Sequence, residues 1–238
     1  MNIGLFIPCY VDQFYPDAAF ATLELLEKHG CEVVYPREQT CCGQPMLNAG
    51  CRQDADNVAA HFEATFAGFD AIVAPSGSCV AAVHELCPSL ASRTFELCEY
   101  LLDQLKVKTL DASCARRVGI HMACHGTREL RLSRGSERPA LANFAKPRQL
   151  LEMVADIELV DLKRPDECCG FGGLFAVEEP DISVSMGNDK LADFANAEAE
   201  LIVSTDMSCI MHLAGLASRQ NRQVKFAHIA EVLNGNFS

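Results

Sequence analysis

Thirteen of the 238 residues are cysteine, and eight of them form a pattern that occurs twice. Cys9, Cys41, Cys42 and Cys79 lie in the first half of the chain; Cys124, Cys168, Cys169 and Cys209 follow in the same order in the second. In each set two adjacent cysteines precede a glycine, as Cys41-Cys42-Gly43 and Cys168-Cys169-Gly170. Neighbouring thiols that must face one centre need a sharp backbone bend behind them, which glycine permits. The segment Met1 to Tyr10 has no basic region, and its short apolar run ends at Pro8, so the chain is expected to be cytoplasmic rather than exported. In that setting dense cysteine points to metal or redox chemistry instead of disulfides. Four thiolates around one point suit an iron–sulfur cluster or zinc. Cys31, Cys51, Cys87, Cys98 and Cys114 stand outside the pattern and read as small core residues.

What positions these thiols is a duplicated chain. Asn2-Ile3-Gly4-Leu5 matches Arg117-Val118-Gly119-Ile120, Glu32-Val33-Val34 matches Glu158-Leu159-Val160, and Ile72-Val73 through Cys79 matches Ile202-Val203 through Cys209. Phe95 to Leu102 is set against Phe226 to Leu233. Each copy reads as a buried strand (3–7, 118–122), a helix (about 18–26, and 141–154 in the second copy) and a short strand (33–35, 158–160). The Cys-Cys-Gly loop, a second helix (55–66, 182–197) and a third strand (71–74, 201–204) complete it. Gly30 is expected to stop the first helix. The second copy's extra residues, between Gly126 and Ala140, have the composition of a loop or short exposed helix. Strands alternating with helices imply right-handed crossovers and parallel sheets. The expected fold is α/β: two small Rossmann-like domains, 1–112 and 113–238, related by a pseudo-two-fold axis and joined near Asp111–Ala115. In such sheets ligands bind at the carboxyl ends of the strands, where all four cysteines of each copy fall. Cys79 and Cys209 also begin helices (80–86 and 210–216), whose N–H groups favour a thiolate.

Composition narrows the function classes. A 49% hydrophobic content is enough for a substantial core. No apolar run approaches the roughly 18–20 residues of a membrane helix, so direct membrane insertion is not expected. A net charge of −12 argues against a nucleic-acid binder that neutralises phosphates, and the absence of Trp leaves few stacking platforms. Arg116, Arg117, Arg128, Arg131, Arg134, Arg138, Lys146 and Arg148 form a basic stretch, read as either an anion- or partner-steering surface or a solvated helix face. His125, next to Cys124, and His121, on the strand before it, read first as hydrogen-bonded histidines lining the crevice, with ligation or proton handling as the alternative. His84 and His212, on the helices leaving the cysteine edge, read as supporting or surface residues. Gly170-Phe171-Gly172-Gly173 lacks a full nucleotide-binding pattern and reads as close packing around the centre.

The stretches Cys41-Cys42-Gly43-Gln44-Pro45, Pro75-Ser76-Gly77-Ser78-Cys79 and Cys168-Cys169-Gly170-Phe171-Gly172-Gly173 resemble the cysteine-rich CCG domain family, typified by the cysteine-rich subunit of heterodisulfide reductase. The resemblance covers the whole chain and is strongest to the lactate-utilization branch. That branch supplies an iron–sulfur subunit to a three-protein complex oxidising L-lactate to pyruvate. The full family pattern ends each repeat with Cys-x-x-Cys; here Ser76 and Asp206 replace the first cysteine of that pair. The resemblance implies Cys9, Cys41, Cys42, Cys79, Cys124, Cys168, Cys169 and Cys209 as cofactor-binding, metal-ligating residues. Four thiolates suit a cubane 4Fe–4S cluster or a zinc ion, Ser76 or Asp206 is available as an oxygen ligand, and zinc in one repeat is the alternative.

The expected function is electron transfer as an oxidoreductase subunit, inactive without partner subunits that carry further iron–sulfur clusters, with L-lactate the substrate of the complex. No dinucleotide fingerprint, P-loop or evident acid–base pair offers another catalytic site, and catalytic residues are unassigned. The alternatives are a heterodisulfide-reductase-like thiol–disulfide oxidoreductase and a zinc-stabilised scaffold subunit.

Overall fold

The computed structural model describes residues 2–237. Its strands are β1 (Asn2–Leu5), β2 (Glu32–Val34), β3 (Ala71–Ala74), β4 (Thr94–Glu96), β5 (Arg117–His121), β6 (Glu158–Val160), β7 (Leu201–Ser204) and β8 (Lys225–His228). They form two four-stranded sheets, β2-β1-β3-β4 and β6-β5-β7-β8, with every pairing parallel. The fold is thus the α/β arrangement expected, with the same strand order in both halves.

Period-two alternation separates the faces of the first sheet. Ile3, Leu5, Ala71 and Val73 join a core that continues through Val118, Ile120, Leu201 and Val203 of the second sheet. Phe6, Ile72 and Ala74 point the other way, into a second cluster with Phe62 and Phe66 from the helix Arg52–Phe66. One hydrophobic core is therefore shared by the two repeats, which fixes their sheets relative to each other.

Several elements differ from expectation. The helix expected over 141–154 is confined to Lys146–Leu151. Pro147 has no N–H to donate to residue 143, so a helix starts well only just before it, and Leu141 is exposed. The insertion between Gly126 and Ala140 starts in the short helix Cys124–Arg128 and runs on as a loop tied by an isolated Ser133–Ala145 bridge. Strands β4 and β8 are additional to those expected, and their register corrects one correspondence. Val73 pairs with Phe95 and Val203 with Ala227, so Phe95 is equivalent to Ala227, not Phe226. Of the five cysteines read as core, Cys87, Cys98 and Cys114 are buried and Cys31 is half-buried. Cys51 is exposed, because it sits at the turn that starts Arg52–Phe66.

Candidate metal centre

Each repeat delivers its four cysteines to the carboxyl ends of its strands. Cys9 opens the helix Cys9–Phe14 beyond β1, Cys41 and Cys42 lie in the loop after β2, and Cys79 is the third residue of the helix Gly77–Leu86 after β3. In the second repeat Cys124 opens the helix Cys124–Arg128, Cys168 and Cys169 follow β6, and Cys209 is the third residue of Met207–Arg219. All eight line one cavity of about 300 Å³ between the repeats. Within each repeat the thiols contact one another in series, Cys9–Cys41–Cys42–Cys79 and Cys124–Cys168–Cys169–Cys209. All thirteen cysteines are free thiols.

The glycine behind each pair is required. Gly43 and Gly170 both have φ +88°, a left-handed conformation that disfavours any side chain. A Cβ on Gly170 would also lie 2.6 Å from the Ser183 carbonyl oxygen. The turn aims consecutive thiols at the cavity and directs the Gly170 N–H at Cys168 Sγ, 3.4 Å away.

This geometry prepares one thiolate per repeat. Hydrogen bonds from Cys42 and Cys9, aided by the Gly43 N–H, hold Cys41 down at about 2. Cys124 and Cys169, aided by the Gly170 N–H, hold Cys168 at about 2. Their thiol partners are pushed up in turn: Cys9 by its bond to Cys41, Cys124 by its bond to Cys168, and Cys42 and Cys169 by the same adjacent thiols. Cys209 falls to about 6 through Cys169, with a smaller contribution from His121. Sulfur donors with partial thiolate character, free of disulfides and converging on a cavity, fit iron–sulfur clusters or zinc. The first set would be held by Cys9, Cys41, Cys42 and Cys79, the second by Cys124, Cys168, Cys169 and Cys209.

The histidines separate into two kinds. His125 lines the cavity with Nδ1 3.6 Å from Cys124 Sγ and Nε2 3.2 Å from Gln44 Nε2 of the other repeat, as a crevice histidine should. His84 Nε2 bonds the Thr94 carbonyl at 2.8 Å and His212 Nε2 the Ser183 carbonyl at 3.3 Å, both supporting roles. His121 departs from the reading as a hydrogen-bonded residue: it is buried and neither ring nitrogen has a partner. Its side chain instead meets Cys169 and Cys209, with all three ligand atoms within 4.8 Å of one another. Among the described residues this is the trio of His, Cys, Asp or Glu side chains gathered so closely.

Ser76 and Asp206 serve the joint between repeats. Asp206 Oδ1 accepts from the Tyr10 hydroxyl (2.9 Å), the Ser208 hydroxyl (2.7 Å) and the Ser208 N–H (3.3 Å). Its Oδ2 accepts from the Ser78 N–H (2.8 Å) and the Ser76 hydroxyl (3.4 Å). Ser76 Oγ in turn accepts from the Cys79 N–H at 3.3 Å. Both Asp206 oxygens are thus already engaged by protein donors, so the carboxylate substitutes for the lost cysteine by joining the repeats. Sequence reasoning missed Tyr10, which lies 196 positions from its partner.

Other supports were also missed. Lys190, fully buried in the helix Pro180–Asn196, donates to the carbonyls of Arg164 (2.5 Å) and Pro165 (3.2 Å), and Asp193 accepts from the N–H groups of Lys163 and Arg164. Together they fix the loop that delivers Cys168. Phe171, Gly172 and Gly173 line the cavity. Much of the basic stretch is paired locally: Arg117 with Glu158 and Glu198, Arg128 with Asp166, Arg131 with Glu137, Lys146 with Glu99 and Asp103, and Arg148 with Glu152 and Asp161. That favours the solvated-face reading. Among the described residues no helix is long and apolar enough to cross a membrane.

Known proteins bear on this arrangement. The chain is 38% identical over 247 residues to lactate utilization protein A of Halalkalibacterium halodurans, covering 98% of this chain and 97% of that one. To lactate utilization protein A of Shouchella clausii it is again 38% identical over 247 residues, covering 98% and 99%. Among solved structures, Picrophilus torridus aspartate racemase aligns with 98% of this chain and 90% of its own at 11% identity and a TM-score of 0.38, a likeness too remote to bear on the site. The profile of the CCG cysteine-rich domain matches twice, over residues 3–84 and 118–214. Each match takes in one complete set of four repeated cysteines, and the chain belongs to the CCG cysteine-rich domain family.

Proposed function

We propose that the chain acts in lactate utilization as the iron–sulfur electron-transfer subunit of a complex that oxidises L-lactate to pyruvate. The observation that carries this reading is the convergence of eight free thiols on one cavity, in two sets of four. The names of the relatives supply the substrate. Bound iron–sulfur clusters, of the 4Fe–4S type for four thiolates each, would supply one-electron redox chemistry. This chain's residues contribute the rest. Cys41 and Cys168 offer preformed thiolates, the glycine turns aim the pairs, and the shared core with the Asp206 joint keeps the two sets at a fixed separation. Lactate itself would be handled by partner subunits carrying further iron–sulfur clusters.

The trio His121, Cys169 and Cys209 favours a second reading for the second repeat, a zinc site of mixed ligands that stabilises the assembly. Anaerobic addition of L-lactate to the chain with its partner subunits tests the main reading. Lactate-dependent bleaching of the iron–sulfur absorption is the expected result. Absorption indifferent to lactate but responsive to a disulfide substrate would instead support a thiol–disulfide oxidoreductase.

A further inference from the structure

The two repeats differ at one buried position inside the site. Strand register equates Ile3 with Val118, and so Phe6 with His121. In the first repeat Phe6 is fully buried and packs edge-on against Phe62 and Phe66, with ring centroids 4.9 and 5.7 Å away. In the second, His121 is only 1% exposed, yet Nδ1 and Nε2 both lack a hydrogen-bond partner. A buried imidazole in that state has exchanged its water for thiol sulfur, chiefly that of Cys209, outside ordinary hydrogen-bond geometry, an arrangement that leaves its polar atoms poorly satisfied. The groups it does face are sulfurs: a ring nitrogen, Cys169 Sγ and Cys209 Sγ all lie within 4.8 Å of one another. Metal bonds of about 2.3 Å to sulfur and about 2.0 Å to nitrogen in tetrahedral geometry set ligand atoms roughly 3.5–3.8 Å apart, a separation this trio reaches by a small contraction.

Resting on the metal-centre reading above, we propose that His121 is a nitrogen ligand of the second centre, beside Cys169 and Cys209. The two repeats then hold their metals differently, through sulfur alone in the first and through sulfur plus imidazole in the second. Where the imidazole takes the place of one of the four thiolates, the second centre carries one negative charge fewer than the first. The duplication would have kept the thiol framework and made the two centres inequivalent by a Phe-to-His difference at one strand position.

The test uses the anaerobically purified full chain carrying Cys42→Ser, which removes the first centre, grown on isotopically labelled histidine. Where the metal is iron, pulsed EPR of the reduced protein reads nitrogen coupling; where it is zinc, X-ray absorption at the zinc edge reads imidazole scattering. A directly bound histidine nitrogen is expected, and its signal should vanish in His121→Phe, a substitution that the first repeat already accommodates at Phe6. If that variant does not fold, His125→Gln on the labelled parent decides the matter: a nitrogen signal that persists belongs to His121, and one that is lost overturns the assignment. A second centre with sulfur ligands only, or a nitrogen signal that survives His121→Phe, overturns the assignment while leaving the metal centre standing. Metal content that is unchanged by Cys169→Ser overturns the metal-centre reading as well.

Discussion

Ser76 and Asp206 occupy equivalent positions of the two repeats and pair with each other as an isolated antiparallel bridge. Equivalent residues meet in this way where a local two-fold axis passes between them, and Asp206 with its partners Ser78 and Ser208 lines the cavity that holds both sets of thiols. The two positions that would carry a further cysteine in the full family pattern thus hold the repeats together.

Removing the Asp206 carboxylate should therefore cost stability rather than metal. Asp206→Ala strands the Ser78 N–H and the Tyr10 and Ser208 hydroxyls in a buried setting, and a loss of about 2–4 kcal/mol is expected. Urea unfolding measures it, with metal content determined on the same sample. Metal lost at unchanged stability would make Asp206 a ligand.

At the Cys-Cys-Gly turns, Gly170→Ala combines a positive φ with a backbone clash at Ser183, whereas Gly173→Ala meets a positive φ of +63° with open space around it. The second should cost about 1–2 kcal/mol and keep metal. The first should cost more and displace Cys169, so that metal is lost from the second repeat. Thermal unfolding and metal analysis of both variants distinguish them; equal behaviour would refute the role given to the turn.

Glu96 and His228 end β4 and β8 and cap the helices that follow, and they titrate in opposite senses. Burial pushes the Glu96 carboxyl up to about 8, against backbone hydrogen bonds that lower it. Its contribution is complete below the ordinary carboxylate range and is lost as pH rises toward 8. Burial lowers His228 to about 4, so its contribution is complete above the ordinary imidazole value and is lost as pH falls toward 4. Unfolding free energies should fall on both sides of an optimum. Glu96→Gln should flatten the alkaline side by a few kcal/mol, and an unchanged alkaline slope would refute the assignment.

Ligation by the repeated thiols is testable repeat by repeat. Cys42→Ser should deplete metal from the first repeat and Cys169→Ser from the second, each leaving the other largely loaded. Exposed Cys51, which is outside the cavity, should tolerate Ser with metal content unchanged.

Sequence patterning carried the architecture because the strands that matter are continuous apolar runs. Ala71–Ala74 and Leu201–Ser204 are buried throughout, and the duplication reinforced each reading with a second copy. Thr94–Glu96 and Lys225–His228 mix polar and apolar residues over three or four positions, too short for a period to register, and this produced the one-residue slip at Phe95. The convergence of cysteines was legible because parallel strands share one carboxyl edge. Long-range polar contacts carry no local signature, so neither the Tyr10–Asp206 bond nor the Lys190 clamp was visible in the sequence. His121 stands out in the sequence by its place on a strand before Cys124, but its lack of partners could emerge only from three-dimensional packing.

The most direct test of the account is the iron, acid-labile sulfide and zinc content of protein purified without oxygen. Iron and sulfide are expected in about equal amounts, about four of each per occupied 4Fe–4S site. Zinc in stoichiometric amount with no sulfide, persisting after anaerobic cluster reconstitution, would contradict the electron-transfer function.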